Sequence, residues 1–286
     1  MKKISIVIVS YKSDEVIIDC LLSIQKYADI PYNDFEVVIV DNYYDSKLDG
    51  LIKKIEDEVD FHIEYVMNIK NGGFGQGNNV GVDNANGEMI LFLNPDTILV
   101  EGIMKEIYFK LKSNSTRVLG FYLIDEDYTS INSYSFFPEL YFMAYFIFLI
   151  KKVAFFSPNR ISFLNKRIWP WGAAFALDKV LFLNSGGFDE NIFLCNEEAD
   201  LLRRIPNRKV FIIDKKIIHL EGHSTVSSVE RHIEYFKSTF YYLDKYKLNK
   251  KRFIKNFYNI YYIKKIFYLI DEDLENKIKA LKRLDK

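Results

Sequence analysis

Three short apolar runs recur through the first third of the chain, at 4–9 (ISIVIV), 35–40 (FEVVIV) and 89–93 (MILFL). Their length, and the β-branched content of the first two, mark them as buried strands. Between the first two, Ile17, Leu21, Ile24 and Ala28 fall on one helical face; after the second, so do Leu48, Leu51, Ile52, Ile55 and Val59. Residues 62–66 read as a further strand. Strand and helix alternating at this spacing fold as a doubly wound, mostly parallel sheet, which sets the class as α/β. In such sheets ligands bind beyond the carboxyl ends of the strands.

The residues at those ends are polar. Ser10 and Tyr11 follow the first run, Asp41 and Asn42 the second, and Asn94, Pro95 and Asp96 the run at 89–93. Pro95 lacks a ladder donor and biases Asn94 toward extended backbone, so the strand stops there. A carboxylate at Asp96 either begins a turn or holds a hard divalent cation that grips a diphosphate. Ser13 reads as the cap of the first helix, with Asp14 and Glu15 in its first turn. Residues 71–81 (NGGFGQGNNVG) read as a glycine-rich turn leading into a short helix. The spacing is not the dinucleotide fingerprint: Gly73 and Gly75 are followed by Asn78, and Gly75 and Gly77 by Val80. Gly72, Gly73, Gly75 and Gly77 therefore serve either a tight connection with positive φ or a close approach to a ligand, beside Asn71, Asn78 and Asn79.

The second half is more aromatic. Ile103, Ile107 and Leu111 mark a helix, and 117–123 a strand. The uncharged segment 140–150 is too short to span a bilayer and reads as a buried helix or a lipid-contacting surface. Lys151, Lys152, Arg160, Lys166 and Arg167 follow it. Residues 171–177 read as a strand, Asp178 as a helix cap, and Ser185, Gly186 and Gly187 as a turn. Asn196 reads as the cap of a helix whose first turn holds Glu197 and Glu198. Those acids either complement the helix dipole or supply a general base kept ionised by it. Residues 209–213 and 217–220 read as two strands, and His219 as either structural or a metal partner of Asp96. Val229, Ile233, Phe236, Phe240 and Leu243 share a helix face. Residues 245–265 carry eight basic side chains and no acid, interleaved with aromatics. That pattern suits a membrane surface or a solvated helix, with single-stranded nucleic acid a third reading. The charge-mixed end, 271–286, reads as an exposed helix.

Lys plus Arg equals Asp plus Glu at 39 each, so no global field points to nucleic acid. Cys20 and Cys195 stand alone, which argues for a reducing compartment without disulfides. Residues 1–13 read as a strand start rather than a signal peptide.

Taken in order, IVIVSYKS, VVIVDNYYD, NGGFGQGNNVG, LNPDT, WGAAFAL, GGFDENIF, NEEADLLRR and HLEGHS resemble the family-2 glycosyltransferases of GT-A fold. The likeness is greatest to the bacterial branch that includes rhamnosyl- and galactofuranosyltransferases, and it covers about residues 4–228. It implies a GT-A catalytic domain at 1–228, with a donor half at about 1–97 and an acceptor half at about 98–228. A helical, basic-aromatic C-terminal extension would occupy 229–286.

The resemblance also assigns roles. Ser10, Tyr11 and Asp41 would meet the nucleotide base and ribose, and Asn71, Gly73 and Asn78 would seat the nucleotide-sugar. Asn94-Pro95-Asp96 stands where the family carries Asp-x-Asp, so Asp96 would bind metal and diphosphate, Asn94 would lie against the donor, and His219 would be a further metal ligand. Glu197-Glu198-Ala199-Asp200 stands where Glu-Asp-x-Asp is usual, which makes Glu198 the base and Glu197 its alternate. Trp171, Asp189 and Asp200 would shape the acceptor side. This chain departs from the pattern in its neutral Asn94 and in the extra methylene of Glu198. The implied reaction is inverting transfer of a hexose, assisted by Mg²⁺ or Mn²⁺, from a nucleotide-diphosphate donor. The acceptor would be a hydroxyl of a glycan or lipid-linked oligosaccharide in bacterial cell-surface polysaccharide synthesis. The implied location is cytoplasmic, at the anionic inner face of the cell membrane. Two other readings are a sugar nucleotidyltransferase, disfavoured by the glycine-free first loop SYKSDE, and a non-catalytic nucleotide-sugar binder or scaffold.

Overall fold

A computed structural model describes residues 2–43, 47–113, 118–140, 164–220, 228–266 and 272–284. In chain order its elements are β1 (Ile4–Ser10), α1 (Ile17–Tyr27), β2 (Phe35–Asp41), α2 (Leu48–Ile55), β3 (His62–Met67), α3 (Gly73–Asn84), β4 (Met89–Leu93), β5 (Thr97–Leu99), α4 (Met104–Lys112) and β6 (Val118–Ile124). There follow β7 (Tyr134–Phe136), β8 (Ile168–Pro170), β9 (Ala174–Asp178), α5 (Lys179–Asn184), α6 (Glu197–Arg204), β10 (Val210–His219), α7 (Ser228–Lys245), α8 (Lys250–Ile266) and α9 (Glu272–Leu284).

Eight strands form one sheet in the order β3-β2-β1-β4-β9-β6-β10-β5. β1 lies parallel between β2 and β4, β3 is parallel to β2, and β6 is parallel to β10. The mostly parallel expectation holds, with β9 reversed against β4 and β6, and β5 reversed against β10. The reversal of β9 follows from its approach. β8, paired antiparallel with β7, delivers the chain to Trp171, whose N–H donates to Ser133, and Ala174 then pairs with Leu93, the last residue of β4. The chain thus enters β9 from the carboxyl edge of the parallel strands.

Side chains alternate between the two faces of the sheet. Ile4, Ile6 and Ile8 of β1 join Ile17, Leu21, Ile24, Leu48, Ile52 and Ile107 in one core. Val7, with Val38, Val40 and Phe92, joins Val82, Leu201, Phe236 and Leu281 in the other. Burial of each such side chain stabilises the fold by about 1.5–3 kcal/mol.

Several local expectations are corrected. α1 starts at Ile17, and no side chain caps it. The Ser13 hydroxyl instead faces the Tyr11 carbonyl, while its own carbonyl receives the N–H groups of Val16 and Ile17. The glycine-rich stretch is not a turn leading into a short helix but the twelve-residue helix α3 itself. Glycine costs a helix about 1 kcal/mol per residue, but here it lets the helix lie on the sheet. A methyl group at Gly81 would overlap Val7, and one at Gly77 would crowd Val9 and Asn42. Residues 171–173 form a turn before β9, and 209–220 hold one strand, β10, with a register shift between Ile213 and Lys216. α9 is not an exposed helix: Leu274, Ile278 and Leu281 are buried in the same core as α7 and the sheet. His232 of α7 and Asp273 of α9 pair at 2.9 Å across that contact.

Most of the aromatic segment 140–150, the basic Lys151, Lys152 and Arg160, and residues 221–224 lie outside the described residues. No helix among the described residues is long and apolar enough to cross a membrane.

Candidate active site

The carboxyl ends of the parallel strands share one edge, and most of the residues singled out from sequence collect there. Ser10 pairs in register with Asp41 across β1 and β2. Beyond β4, the Asn94 N–H donates to the Ala173 carbonyl at 2.9 Å, and the Asp96 carbonyl accepts from Leu220 at 2.9 Å. His219, the last residue of β10, pairs with Thr97 of β5. Its Nε2 then stands 3.4 Å from Asp96 Oδ1.

That pair suits a divalent cation. Asp96 Oδ1 and His219 Nδ1 are buried without a hydrogen-bond partner among the described residues. Orphaned polar atoms are costly unless a further ligand completes them. A carboxylate oxygen and an imidazole nitrogen are both suitable donors for Mn²⁺, the carboxylate also for Mg²⁺. No cluster of three or more His, Cys, Asp or Glu forms among the described residues, where Asp96 and His219 are the two donors at this point.

The second chemical feature is the start of α6. Cys195 and Asn196 both have left-handed backbone, with φ of 67° and 69°. Asn196 occupies the expected cap position, but its side chain does not cap. Its amide reaches away and donates to Thr239 Oγ1 at 3.0 Å. Glu197 and Glu198 follow, 3% and 6% exposed, and one oxygen of each lacks a hydrogen-bond partner among the described residues. Burial pushes the Glu198 carboxyl up to about 7, against hydrogen bonds from its own backbone and from that of Gly172. Burial, with Glu198 beside it, pushes Glu197 well above the ordinary carboxylate range. The helix dipole therefore does not keep these acids fully ionised, because the desolvation of two adjacent carboxylates outweighs it.

Glu198 reaches the sheet edge through Gly172, where a Cβ would overlap its Oε1. Gly172 adjoins Ala173, whose carbonyl holds Asn94, two residues before Asp96. Glu198 is thus connected to Asp96 and His219 through the Gly172–Ala173 turn and the Asn94–Asp96 segment. Gly172→Ala is expected to displace the Glu198 carboxylate and lower turnover about 10²-fold, the usual cost of a 1 Å misplacement. The melting temperature should move by only a few degrees. Wild-type turnover in this variant would separate Gly172 from the site.

Other expected site residues are engaged by the protein itself. Asp41 is fully buried and accepts from the Tyr65 hydroxyl at 2.8 Å and from the Tyr43 N–H at 3.0 Å. Asn71 accepts from the Gly73 N–H, and the Asn78 amide donates to the Phe74 carbonyl. The close approach allowed by Gly73 is to the Phe193 carbonyl, and by Gly75 to Phe188. Asp200 is buried against Lys245, Tyr246 and Arg204. Burial tends to raise the Asp189 carboxyl, but hydrogen bonds from Lys245, Asn191 and Tyr241 outweigh it and hold the group well below its ordinary range. Trp171 sits half-buried in the turn before Gly172.

Sequence reading missed three groups. Lys12 lies 4.8 Å over the Tyr43 ring, which stands edge-on to Tyr11 at 5.6 Å. Tyr11 is 40% exposed, so its ring offers an aromatic face beside the buried Ser10, with Tyr43 edge-on to it. Gly172 and Thr239 act through long-range contacts that no local pattern announces. The tyrosine and lysine in SYKS and DNYYD were the only signal for the first group.

The family model described as "Glycosyl transferase family 2" matches residues 5–179. Among curated proteins, the chain is 28% identical over 106 residues to the poly(ribitol-phosphate) beta-N-acetylglucosaminyltransferase TarS of Staphylococcus aureus, over 37% of this chain and 18% of that one. It is 26% identical over 129 residues to the GalNAc(5)-diNAcBac-PP-undecaprenol beta-1,3-glucosyltransferase of Campylobacter jejuni, over 44% of this chain and 40% of that one. These matches span well under half the length of either relative. In structure, TarS 1–349 in complex with UDP-GlcNAc superposes with TM-score 0.57 at 19% identity, over 81% of this chain and 64% of that one. The mannosyltransferase PcManGT from Pyrobaculum calidifontis, in complex with GDP-Man and Mn²⁺, gives TM-score 0.62 at 13% identity, over 98% and 74%. At these identities the structural likeness establishes the GT-A type of fold.

Proposed function

The chain belongs to glycosyl transferase family 2, and from that membership we propose that it transfers a hexose, with inversion, from a nucleotide-diphosphate donor to an acceptor hydroxyl. The observation that carries this reading is the gathering of Ser10, Asp41, Asp96, His219 and Glu198 along one edge of the sheet. The donor half is about 1–97 and the acceptor half about 98–228, with the helices from 229 onward packed against them.

Glu198 is the general base. Of the two carboxylates it is the one that reaches the sheet edge through Gly172, whereas Glu197 lies toward Gly75 of α3. It takes the proton from the acceptor oxygen as that oxygen attacks the anomeric carbon, and the bond to the diphosphate breaks in the same displacement. The transition state has oxocarbenium character, as in glycoside hydrolysis. Tyr11 offers the nucleotide base a ring to stack on, held edge-on by Tyr43, with Ser10 and the Asp41–Tyr65 pair nearby. Asp96 and His219 would hold Mg²⁺ or Mn²⁺, which when bound neutralises charge on the departing diphosphate. Trp171 lines the acceptor side, and Asp189 and Asp200 brace it through Lys245.

The relatives are named as N-acetylglucosaminyl- and glucosyltransferases, while the sequence motifs resemble rhamnosyl- and galactofuranosyltransferases. A thermal-shift panel of nucleotide-sugars with and without Mn²⁺ distinguishes these donors. The expected result is stabilisation by one nucleotide class, enhanced by Mn²⁺, with the Mn²⁺-dependent part lost in Asp96→Ala. An undiminished Mn²⁺ effect in that variant would reject the metal assignment. The reading extends to a glycan or lipid-linked acceptor in cell-surface polysaccharide synthesis. α8 supports an anionic membrane surface as partner, since Lys251, Arg252, Lys255 and Tyr262 are all exposed. Flotation with anionic liposomes is expected to carry the protein upward, and retention in the soluble fraction would count against it.

A further inference from the structure

We infer that α7 belongs to the catalytic machinery, with Ser238 and Thr239 as positioning residues that lock the left-handed Cys195–Asn196 kink from which Glu198 projects. This rests on the reading of Glu198 as the base.

Two consecutive non-glycine residues in the left-handed region are costly, and such backbone persists only where its surroundings over-determine it. Here the polar groups around the kink are pinned from several sides. The Phe193 carbonyl accepts from the Phe74 N–H of α3 at 3.1 Å. The Leu194 carbonyl accepts from the Ser238 hydroxyl at 2.7 Å. The Asn196 carbonyl accepts the Asp200 N–H, which starts the ladder of α6. The Asn196 amide donates to Thr239 Oγ1, whose own proton goes to the Tyr235 carbonyl at 2.7 Å. That last bond fixes the direction of the pair, because the Thr239 hydroxyl has spent its proton and presents a lone pair to Asn196. Asn196, Ser238 and Thr239 are all buried, so water does not readily replace a lost partner.

The same helix is stapled to both flanks of the kink. Tyr241 and Lys245 hold Asp189 ahead of it, and Lys245, with Tyr246 just past the helix end, holds Asp200 behind it. The kink sets where the first turn of α6 begins, and so where Glu198 meets Gly172. A helix that merely covered the core would need neither the two hydroxyls nor the amide at this point.

The test is Thr239→Val, which keeps the shape and removes the hydroxyl, with Ser238→Ala as a second variant and Thr239→Ser as the conservative control. Hydrogen exchange reads the kink without any donor. Amides of residues 194–200 are expected to exchange at least tenfold faster in Thr239→Val, with β1 to β4 unchanged and Thr239→Ser restored. Release of nucleoside diphosphate from UDP-GlcNAc, UDP-glucose and GDP-mannose reads the consequence. The expected result is a kcat lowered about 10- to 100-fold, a donor KM within threefold of wild type, and no further loss when the change is added to Glu198→Gln. Unchanged exchange, unchanged kcat, or an equal further loss in the Glu198→Gln background would overturn the positioning role. Full activity of Glu198→Gln alone would instead overturn the base assignment beneath it.

Discussion

Glu198→Gln is expected to lower sugar transfer by about 10²–10⁴-fold, the range a positioned general base supplies, while UDP affinity stays within twofold. The glutamine keeps the shape and the contact with Gly172 but cannot take a proton. The wild-type rate should rise with pH through about 7, where the buried carboxyl loses its proton, and the variant should lose that limb. Stability runs the opposite way. The folded-state value is raised above the ordinary 4.5, so the native protein binds the proton more tightly than the unfolded chain. Stability from this group is present below pH 4.5 or so and falls as pH rises toward 7. Glu197 has the same sign. Glutamine carries no such penalty, so the variant should be more stable than wild type by on the order of 2–3 kcal/mol at about pH 8, and by little at about pH 5. Activity and thermal unfolding measured across pH check both slopes. A variant that is inactive and also less stable at every pH would indicate a structural role for the carboxylate.

Gly73→Ala is expected to destabilise the fold by about 3–5 kcal/mol, a drop of roughly 6–15 °C in melting temperature for a chain of this size. Gly73 has φ of +90°, and a methyl group there would overlap the Phe193 carbonyl oxygen. The obstacle is backbone, so no rotamer change relieves it. The displaced segment also carries the bond from Phe74 to Phe193 and the bond from the Asn42 amide to the Gly73 carbonyl, which join α3 to the kink and to the end of β2. Gly50 is the control. It lies in α2, and a methyl group there would meet nothing within 4 Å. Gly50→Ala should be neutral or stabilising by about 0.5–1 kcal/mol. Equal melting temperatures for the two variants would refute the close approach at Gly73.

The strands at 4–9, 35–40 and 89–93 were legible because each is a short, mostly apolar run, and that at 62–66 from its place after an amphipathic helix; the observed elements match all four to within a residue or so. From its strand end His219 reads as either structural or a partner of Asp96, and the two side chains stand 3.4 Å apart. The features that were not legible depend on contacts between distant segments. The first half of α3 reads as a turn before a short helix because glycine has poor helix propensity, and only the close surfaces of Val7, Val9 and Phe193 make its glycines favourable. α9 carries Leu274, Ile278 and Leu281 at helical spacing, but its many charges masked a face that α7 covers. Nothing local marks β9 as antiparallel or Cys195 as left-handed. The acids at 197 and 198 were expected to be ionised by the helix dipole. Their burial, which reverses that, comes from α3 and from the Gly172 turn, far away in sequence.

Sugar transfer at this site requires that one edge of the sheet bind a nucleoside diphosphate through Asp96 and His219, within reach of Glu198. Anomalous diffraction from crystals soaked with UDP and Mn²⁺ addresses that requirement without an assay. The expected result is a manganese peak bonded to the Asp96 carboxylate and the His219 imidazole, with the diphosphate on the metal and the uracil against Tyr11. A manganese peak away from both side chains, or UDP bound on another face of the protein, would contradict it.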